Sequence, residues 1–408
     1  MSQIRNSQRE LHGCSKYLVN KQKLGCHIFI DCFSSAVIAL SMMANPETSS
    51  TQFRGEIGIH FPLHVLNRYS LPELIALAEQ SRDTLGPHGF TQVWTNDNLE
   101  YRSVLASSAA LVARLPLKLG TAIAVPYFRN PIDFAAAFAT MSELTNGREI
   151  SLGLGPGSRS ILTHHVERVK PMPIMVELAT VLRTLFKGDA IRRSDMPALA
   201  DYFHLNAESY TLRFKARAPI RLYYGPSLLK PGVLNLIARN FDGVILQTLY
   251  GITAMEETLN TLAVARKQSA LAEPLRKVML LNASVSRDGQ AAKQHAKRFV
   301  SHIASGWPDD TLIRIGIDPQ SMEPVRQAYA QNRGVDYAAS ITPDEAVERL
   351  IIAGTPAQCL ERIAELFAFA AQHGFFQVCI GVPAGPDIAE VIDLWGKEIL
   401  PSLSEKRS

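Results

Sequence analysis

The chain has 408 residues, of which 47% are apolar and 20% are charged, with 25 glycines and 23 prolines. This composition supports a large buried core and excludes a disordered or collagen-like chain. The formal net charge is +4, but residues 1–41 carry +3 of it together with three of the five cysteines. The remainder, at +1, shows no electrostatic footprint for nucleic acid. Its two cysteines, Cys359 and Cys379, form neither a disulfide framework nor a metal-binding motif, so we expect a cytoplasmic body without a metal site.

Residues 1–54 are predicted to be an N-terminal extension outside the folded core. From His27 to Met43 the chain is mostly apolar, but Asp31 interrupts the run. A membrane span needs about 20 apolar residues, and a secretory signal usually has a shorter charged region than this one. Disorder, or a true start at Met42 or Met43, is the favoured interpretation, with a signal peptide and an anchor as alternatives. No stable membrane association is expected.

Apolar segments that end at glycine, proline or a polar residue recur along residues 55–403, and helical patterns separate them. Ser70 and Glu73 form a capping box that starts the first helix, and Pro131 is suited to the first turn of another. The predicted strands are Gly55–Pro62, Thr91–Thr95, Leu117–Val125, Glu149–Gly155, Ile220–Gly225, Asp242–Gln247, Arg276–Asn282 and Phe375–Gly381. Residues 189–218 and 306–350 break the rhythm and are predicted insertions.

Eight strand–helix units in succession predict an α/β fold, a single (β/α)8 TIM barrel with insertions. A doubly wound sheet would show fewer units and a switch point in strand order. In a barrel of this kind the reactive residues lie at the carboxyl ends of the strands and in the loops that follow.

Three ionisable residues stand at predicted strand ends. His60 ends the first strand and is a candidate proton donor, although a core histidine bound to a backbone carbonyl would look the same. Asp97 follows the second strand and could orient a ligand or cap the next helix. Arg129 follows the third strand and could reach an anionic group or lie in solvent. We take His60 and Asp97 as catalytic candidates and Arg129 as a cofactor-binding candidate.

A glycine-rich run, Gly153 to Ser158, follows the fourth strand. Free backbone N–H groups after a strand can cradle phosphate, so Gly155, Gly157 and Ser158 are cofactor-binding candidates, with a tight turn as the alternative. Gly225 and Ser227 form a similar, weaker candidate after the fifth strand. The run is neither a dinucleotide fingerprint nor a P-loop, and no nucleophile elbow supports hydrolysis.

From about residue 55 to residue 401 the chain resembles the luciferase-like monooxygenase superfamily of flavin-dependent barrels. The order and spacing of its motifs carry the resemblance, and the motifs are Gly120–Pro131, Glu143–Arg148, Leu152–Gly157, Gly354–Pro356 and Val382–Asp387. The pattern formed by Trp94, Asp97 and Arg102 resembles that of the deazaflavin-using branch, especially the methylenetetrahydromethanopterin reductases.

The resemblance implies that a reduced flavin, FMN or coenzyme F420, lies across the barrel mouth with its phosphate toward the two glycine loops. The family often has a non-proline cis peptide behind the flavin ring, and the matching bond here joins Ala122 to Ile123. These two residues are therefore cofactor-binding candidates. Barrels of this family often pair through helices, which implies a homodimer.

Two departures from the family pattern bear on the chemistry. Many members have Asp-His after the second strand, where this chain has Asp97 and Asn98. The methanopterin reductases carry a carboxylate where His60 stands. The resemblance thus implies an oxidoreductase acting on a small organic substrate, by FMN-dependent oxygenation or by F420-dependent hydride transfer. A catalytically silent flavin-binding barrel is the remaining alternative.

Overall fold

The computed structural model describes residues 52–63, 66–157, 166–167, 169–227 and 229–405. Most of the predicted N-terminal extension therefore lies outside the described residues. Eight parallel strands carry the fold and each lies close to its predicted position. They are β1 (Glu56–Phe61), β2 (Phe90–Thr95), β3 (Lys118–Ala124), β4 (Ile150–Leu154), β5 (Ile220–Tyr224), β6 (Gly243–Gln247), β7 (Arg276–Val285) and β8 (Gln377–Ala384).

The strands close into a barrel, which confirms the predicted fold class. Each strand pairs with its neighbours in chain order, β8 pairs with β1, and β6 pairs with β7. The helices that cover the strands are α1 (Leu71–Leu85), α2 (Val104–Arg114), α3 (Pro131–Leu144), α4 (Pro171–Phe186), α5 (Pro231–Asn240), α6 (Gly251–Lys267), α7 (Gly289–Ser305), α8 (Pro356–Gln372) and α9 (Ile388–Leu394). None of the described helices is long and apolar enough to cross a membrane.

Side-chain caps set where several helices begin. The Ser70 hydroxyl accepts from the Glu73 backbone N–H, and the Glu73 carboxylate accepts from the Ser70 backbone N–H, as the capping box predicts. Asn130 caps α3, with Pro131 in the first turn. Ser103 caps α2, which begins at Val104.

Both stretches that break the strand–helix rhythm are structured. Between α4 and β5 lie a short antiparallel pair, Ile191–Arg192 with Ser209–Tyr210, and the helix Pro197–Tyr202. Between α7 and α8 lie four short helices and the strand Ile352–Gly354, which pairs with the end of β7. The short helices are Asp309–Arg314, Pro319–Ala330, Val335–Ser340 and Asp344–Leu350. They share a separate apolar cluster with α7.

The interior of the barrel is layered. Its middle holds a buried cluster made of Trp94, Tyr223, Ile245, Val278, Leu280 and Cys379. At the amino ends of the strands, which we call the floor, Glu56 pairs with Lys118, and Glu149 pairs with Arg221 at 2.8 Å and with Arg276 at 2.7 Å. The carboxyl ends of the strands form the opposite end of the barrel, which we call the mouth.

Candidate functional site

His60 lies inside the barrel near the mouth. It is 3% exposed and pairs in register with Trp94 of β2. A Cβ on Gly58 would lie 3.0 Å from Trp94 Nε1, so Gly58 faces the interior cluster. Because side chains alternate along a strand, His60 faces the same interior. The structure therefore places an imidazole directly above the apolar layer, at the end of β1.

The end of β3 forms one wall of the mouth. The bond between Ala122 and Ile123 is a non-proline cis peptide, which confirms the expectation at this position. Ala122 packs against the interior cluster. The Ile123 side chain lies toward the ends of β4 and β5, where a glycine directly follows each strand. Ala122 and Ile123 thus present small and branched apolar surface to the mouth.

Gly155 and Gly225 complete this wall because neither has a side chain. A Cβ on Gly155 would lie 2.4 Å from Ile123 Cδ1 and 3.1 Å from the carbonyl oxygen of Gly225. A Cβ on Gly225 would lie 2.6 Å from Ile123 Cγ2. A Cβ at either position would require the Ile123 side chain to shift, whether or not a phosphate lies above them. Three of the predicted cofactor-binding residues meet at one place.

Three further cofactor-binding candidates, Gly157, Ser158 and Ser227, belong to the two glycine loops. Gly157 has φ of 71°, a left-handed backbone that suits glycine, while Ser158 lies outside the described residues. Ser227 is exposed, and its carbonyl oxygen accepts a hydrogen bond from the Tyr250 hydroxyl at 2.8 Å. The phosphate-binding role of Gly157, Ser158 and Ser227 stays a prediction.

Asp97 and Arg129 form a bidentate ion pair. Asp97 Oδ2 lies 2.5 Å from Arg129 Nη1, and Oδ1 lies 2.9 Å from Nη2. The Asp97 side chain is fully buried, whereas that of Arg129 is 16% exposed. Of the two roles considered for Asp97, capping of the next helix is wrong, since Ser103 caps α2. The pairing of these two predicted site residues with each other was missed by the sequence analysis.

Two further polar residues near the mouth were also missed. Asn282 in β7 is fully buried, and its side-chain amide donates to the Val382 carbonyl at 2.8 Å. Its backbone N–H donates to the Thr248 hydroxyl at 2.9 Å. The only sequence signal was a polar residue near the carboxyl end of an apolar strand. These contacts fix the backbone of β8 where the cis bond between Val382 and Pro383 lies.

Both cysteines among the described residues are buried. Burial raises the pKa of Cys379 well above its usual value, so this thiol stays neutral in the interior cluster. Burial likewise raises the pKa of Cys359 to about 11. Among the residues that the structure describes, no group of three or more His, Cys, Asp or Glu side chains could hold a metal ion.

The geometry defines an α/β barrel whose mouth combines an interior histidine, an apolar wall and glycine-ended strands. A family model described as luciferase-like monooxygenase matches residues 60–373. The chain therefore belongs to the luciferase-like monooxygenase family, as its motifs suggested.

Individual relatives agree with this assignment. The chain is 30% identical to a 5,10-methylenetetrahydromethanopterin reductase of Archaeoglobus fulgidus over 358 residues, which cover 85% of this chain and 99% of the relative. The structure of a coenzyme F420-dependent tetrahydromethanopterin reductase from Methanopyrus kandleri superposes with a TM-score of 0.68 at 21% identity, over 86% and 99% of the two chains. A type II Baeyer–Villiger monooxygenase from Pseudomonas putida in complex with FMN superposes with a TM-score of 0.54 at 16% identity, over 85% and 98%. Both structural matches establish the fold alone.

Proposed function

We propose that this chain is an oxidoreductase that transfers a hydride between coenzyme F420 and a small organic substrate. The observation that carries the proposal is the 30% identity to a methylenetetrahydromethanopterin reductase, which extends over 99% of that protein. The similarity therefore extends over nearly the full length of the relative and over 85% of this chain, rather than over a shared motif. A cytoplasmic location and a homodimer remain predictions beside it.

The residues at the mouth fit such a cofactor. Ala122, Ile123, Gly155 and Gly225 would hold its ring system, because they offer a wall of apolar surface without bulky side chains. When bound, F420 accepts or donates a hydride and reacts little with oxygen. The protein's part is to position the ring, exclude water and handle the proton that accompanies the hydride.

His60 is the group best placed to handle that proton. When an alcohol or amine is oxidised, a C–H bond breaks and the hydride leaves the carbon, while the proton on oxygen or nitrogen must also leave. The imidazole of His60 would accept this proton and return it in the reducing direction. An imidazole can both accept and donate a proton, so this one residue could serve in both directions. A histidine in place of the reductases' carboxylate implies a substrate other than theirs.

FMN-dependent oxygenation is the second candidate. The description of the family as luciferase-like monooxygenases favours it. In that case the same wall would hold a reduced FMN, and His60 would supply or remove protons during insertion of one oxygen atom. A catalytically silent flavin-binding barrel is the third candidate, and it predicts binding of a cofactor without turnover of any substrate.

Cofactor titration, followed by a turnover assay, distinguishes the three candidate functions. We would add oxidised F420 and FMN separately to the purified protein and follow the fluorescence of each. We expect F420 to bind at least about tenfold more tightly than FMN, a difference of about 1.4 kcal/mol. Tighter binding of FMN, with oxygen uptake when it is reduced, would transfer the assignment to the monooxygenase. Binding of either cofactor without turnover of any substrate would support the silent flavin-binding barrel, and affinity for neither would reject all three.

Replacement of His60 tests its role in proton transfer. We expect His60→Gln to lower the rate at which reduced F420 is consumed, with a panel of small aldehydes, ketones and imines, by about 100-fold, the usual contribution of general acid catalysis. The variant should also lose the limb of the pH–rate profile that His60 produces, and it should bind F420 as before. An unchanged rate and pH profile would remove His60 from the mechanism.

A further inference from the structure

Asp97 was a catalytic candidate on sequence grounds, but its surroundings point to another role. Its side chain is fully buried, and both carboxylate oxygens are engaged by the Arg129 guanidinium. Oδ2 also accepts a hydrogen bond from the Val125 backbone N–H at 3.2 Å. The fully buried carboxylate thus accepts three hydrogen bonds from the protein, which suits a structural role better than proton exchange with a substrate in the mouth.

The same residue holds the end of β3 through its backbone. The Asp97 N–H donates to the carbonyl oxygen of Ile123 at 2.9 Å. Asp97 therefore bonds to the chain at Ile123 and at Val125, on either side of Ala124. Arg129 lies four residues beyond Val125 and closes the turn that follows the strand. Together these bonds tie the loop after β2 to the last residues of β3 and the turn beyond.

Ile123 transmits this constraint to the rest of the mouth. Its side chain occupies the space that a Cβ on Gly155 or on Gly225 would need. The contacts therefore run from Asp97 and Arg129 through the β3 backbone to Ile123 and on to the ends of β4 and β5. A shift of the β3 end by a few tenths of an ångström would alter the surface facing the cofactor.

We infer that the Asp97–Arg129 ion pair is a positioning pair that fixes the Ile123 wall for cofactor binding, and that it takes no part in proton transfer. This inference rests on the proposed function only for the identity of the ligand. A buried bidentate pair suits the task because the planar guanidinium and carboxylate fix each other's orientation. The pair acts on the cofactor through the backbone of β3 rather than by touching it.

Two variants test the inference with oxidised F420 as the probe. Asp97→Asn has the same shape and can still accept from Val125, but its neutral amide has a single acceptor oxygen and cannot form the bidentate ion pair with Arg129. Arg129→Met removes the partner. We expect each to weaken F420 binding by about tenfold, and the double variant to weaken it no further, because both act through one wall. If Asp97→Asn does not fold, Arg129→Lys, which keeps the charge and loses the fork, should weaken binding by about threefold.

Glu149→Gln is the matched control. Glu149 also holds arginines, at 2.7 Å and 2.8 Å, but at the floor. It should lower thermal stability to a similar extent as Asp97→Asn and leave F420 affinity unchanged. If all three variants lose stability and none changes F420 affinity, the pair is merely structural and the inference fails. If Asp97→Asn abolishes a limb of the pH–rate profile at unchanged affinity, Asp97 is a proton-transfer residue and the inference also fails.

Hydrogen exchange keeps this test separate from the test of function. Backbone amides in the segment 122–129 should exchange about tenfold faster in Asp97→Asn and Arg129→Met than in the wild type, with no change in Glu149→Gln. If the wild type binds neither F420 nor FMN, the proposed function fails, while faster exchange still supports the positioning pair. Unchanged exchange would overturn the inference even where the cofactor binds.

Discussion

The two ends of this barrel differ in the size and polarity of the side chains that line them. At the floor, long charged and amide side chains fill the interior and bond to one another. Glu149 bridges two arginines, and the Arg276 guanidinium also lies 4.1 Å from the centre of the Phe376 ring. At the mouth, Gly155 and Gly225 directly follow β4 and β5, and Ala122 adds only a methyl group.

The difference separates two tasks. Interlocking polar groups at the floor close the barrel and hold its strands in register, so substitutions there should act on stability. Small residues at the mouth leave backbone and apolar surface to face a ligand, so substitutions there should act on affinity. The same separation is general in TIM barrels, where the carboxyl ends of the strands carry function. Substitutions at the two ends of the barrel test this division.

The largest effect is expected at the floor, from Gln377→Leu. Gln377 is fully buried, accepts from Trp94 Nε1 at 2.6 Å and donates to Gln92 Oε1 at 3.0 Å. Leucine would leave two buried polar groups without these partners. We expect the free energy of unfolding, measured by urea denaturation, to fall by about 2–3 kcal/mol, with F420 affinity unchanged.

The control for this change is the exposed Gln320, whose replacement by leucine should alter stability by less than about 0.5 kcal/mol. A Gln377→Leu protein that kept its stability but bound F420 more weakly would contradict the division of tasks, since a floor residue would then govern affinity.

A smaller effect is expected at the mouth, from Gly155→Ala. The new methyl group would meet Ile123 Cδ1 at 2.4 Å and displace the wall. We expect F420 affinity, measured by fluorescence titration, to fall by about tenfold, or about 1.4 kcal/mol. Adding Ile123→Val removes the clashing Cδ1 and should restore most of the affinity.

The matched control is Gly232→Ala in α5, where a Cβ would meet no heavy atom within 4 Å. It should bind F420 as the wild type does. A Gly155→Ala protein with unchanged affinity would show that the wall does not contact the cofactor. Failure of Ile123→Val to rescue would instead point to the Gly225 carbonyl.

Sequence periodicity was sufficient for the architecture and for the position of His60, because strand ends and side-chain alternation are local properties. It could not pair Asp97 with Arg129, which lie 32 residues apart and meet only because β2 and β3 are neighbours. It also read Gly155 and Gly225 as phosphate loops, whereas their contact with Ile123 depends on how three strands are staggered. The bond from Asn282 to Val382 spans 100 residues and is equally non-local.

The smallest effect concerns pH and the helix beside the mouth. His295 in α7 is half-buried, and its ring lies 3.3 Å from the Pro383 carbonyl oxygen. Burial lowers the pKa of His295, and the hydrogen bond to Pro383 raises it by a smaller amount. His295 therefore binds a proton more readily in the unfolded chain than in the folded chain. Its contribution to stability is fully present above about pH 6.5 and declines as the pH falls below that value.

His295→Gln tests this account, because glutamine can still donate to the Pro383 carbonyl but does not titrate. We expect the thermal midpoint of the wild type to fall more steeply between about pH 6.5 and pH 5 than that of the variant, a range set by the usual pKa of histidine. His204→Gln, at an exposed position, is the control and should keep the wild-type slope. Equal slopes for His295→Gln and the wild type would show that other groups cause the loss of stability in acid. The mouth would then be no more sensitive to acid than the floor.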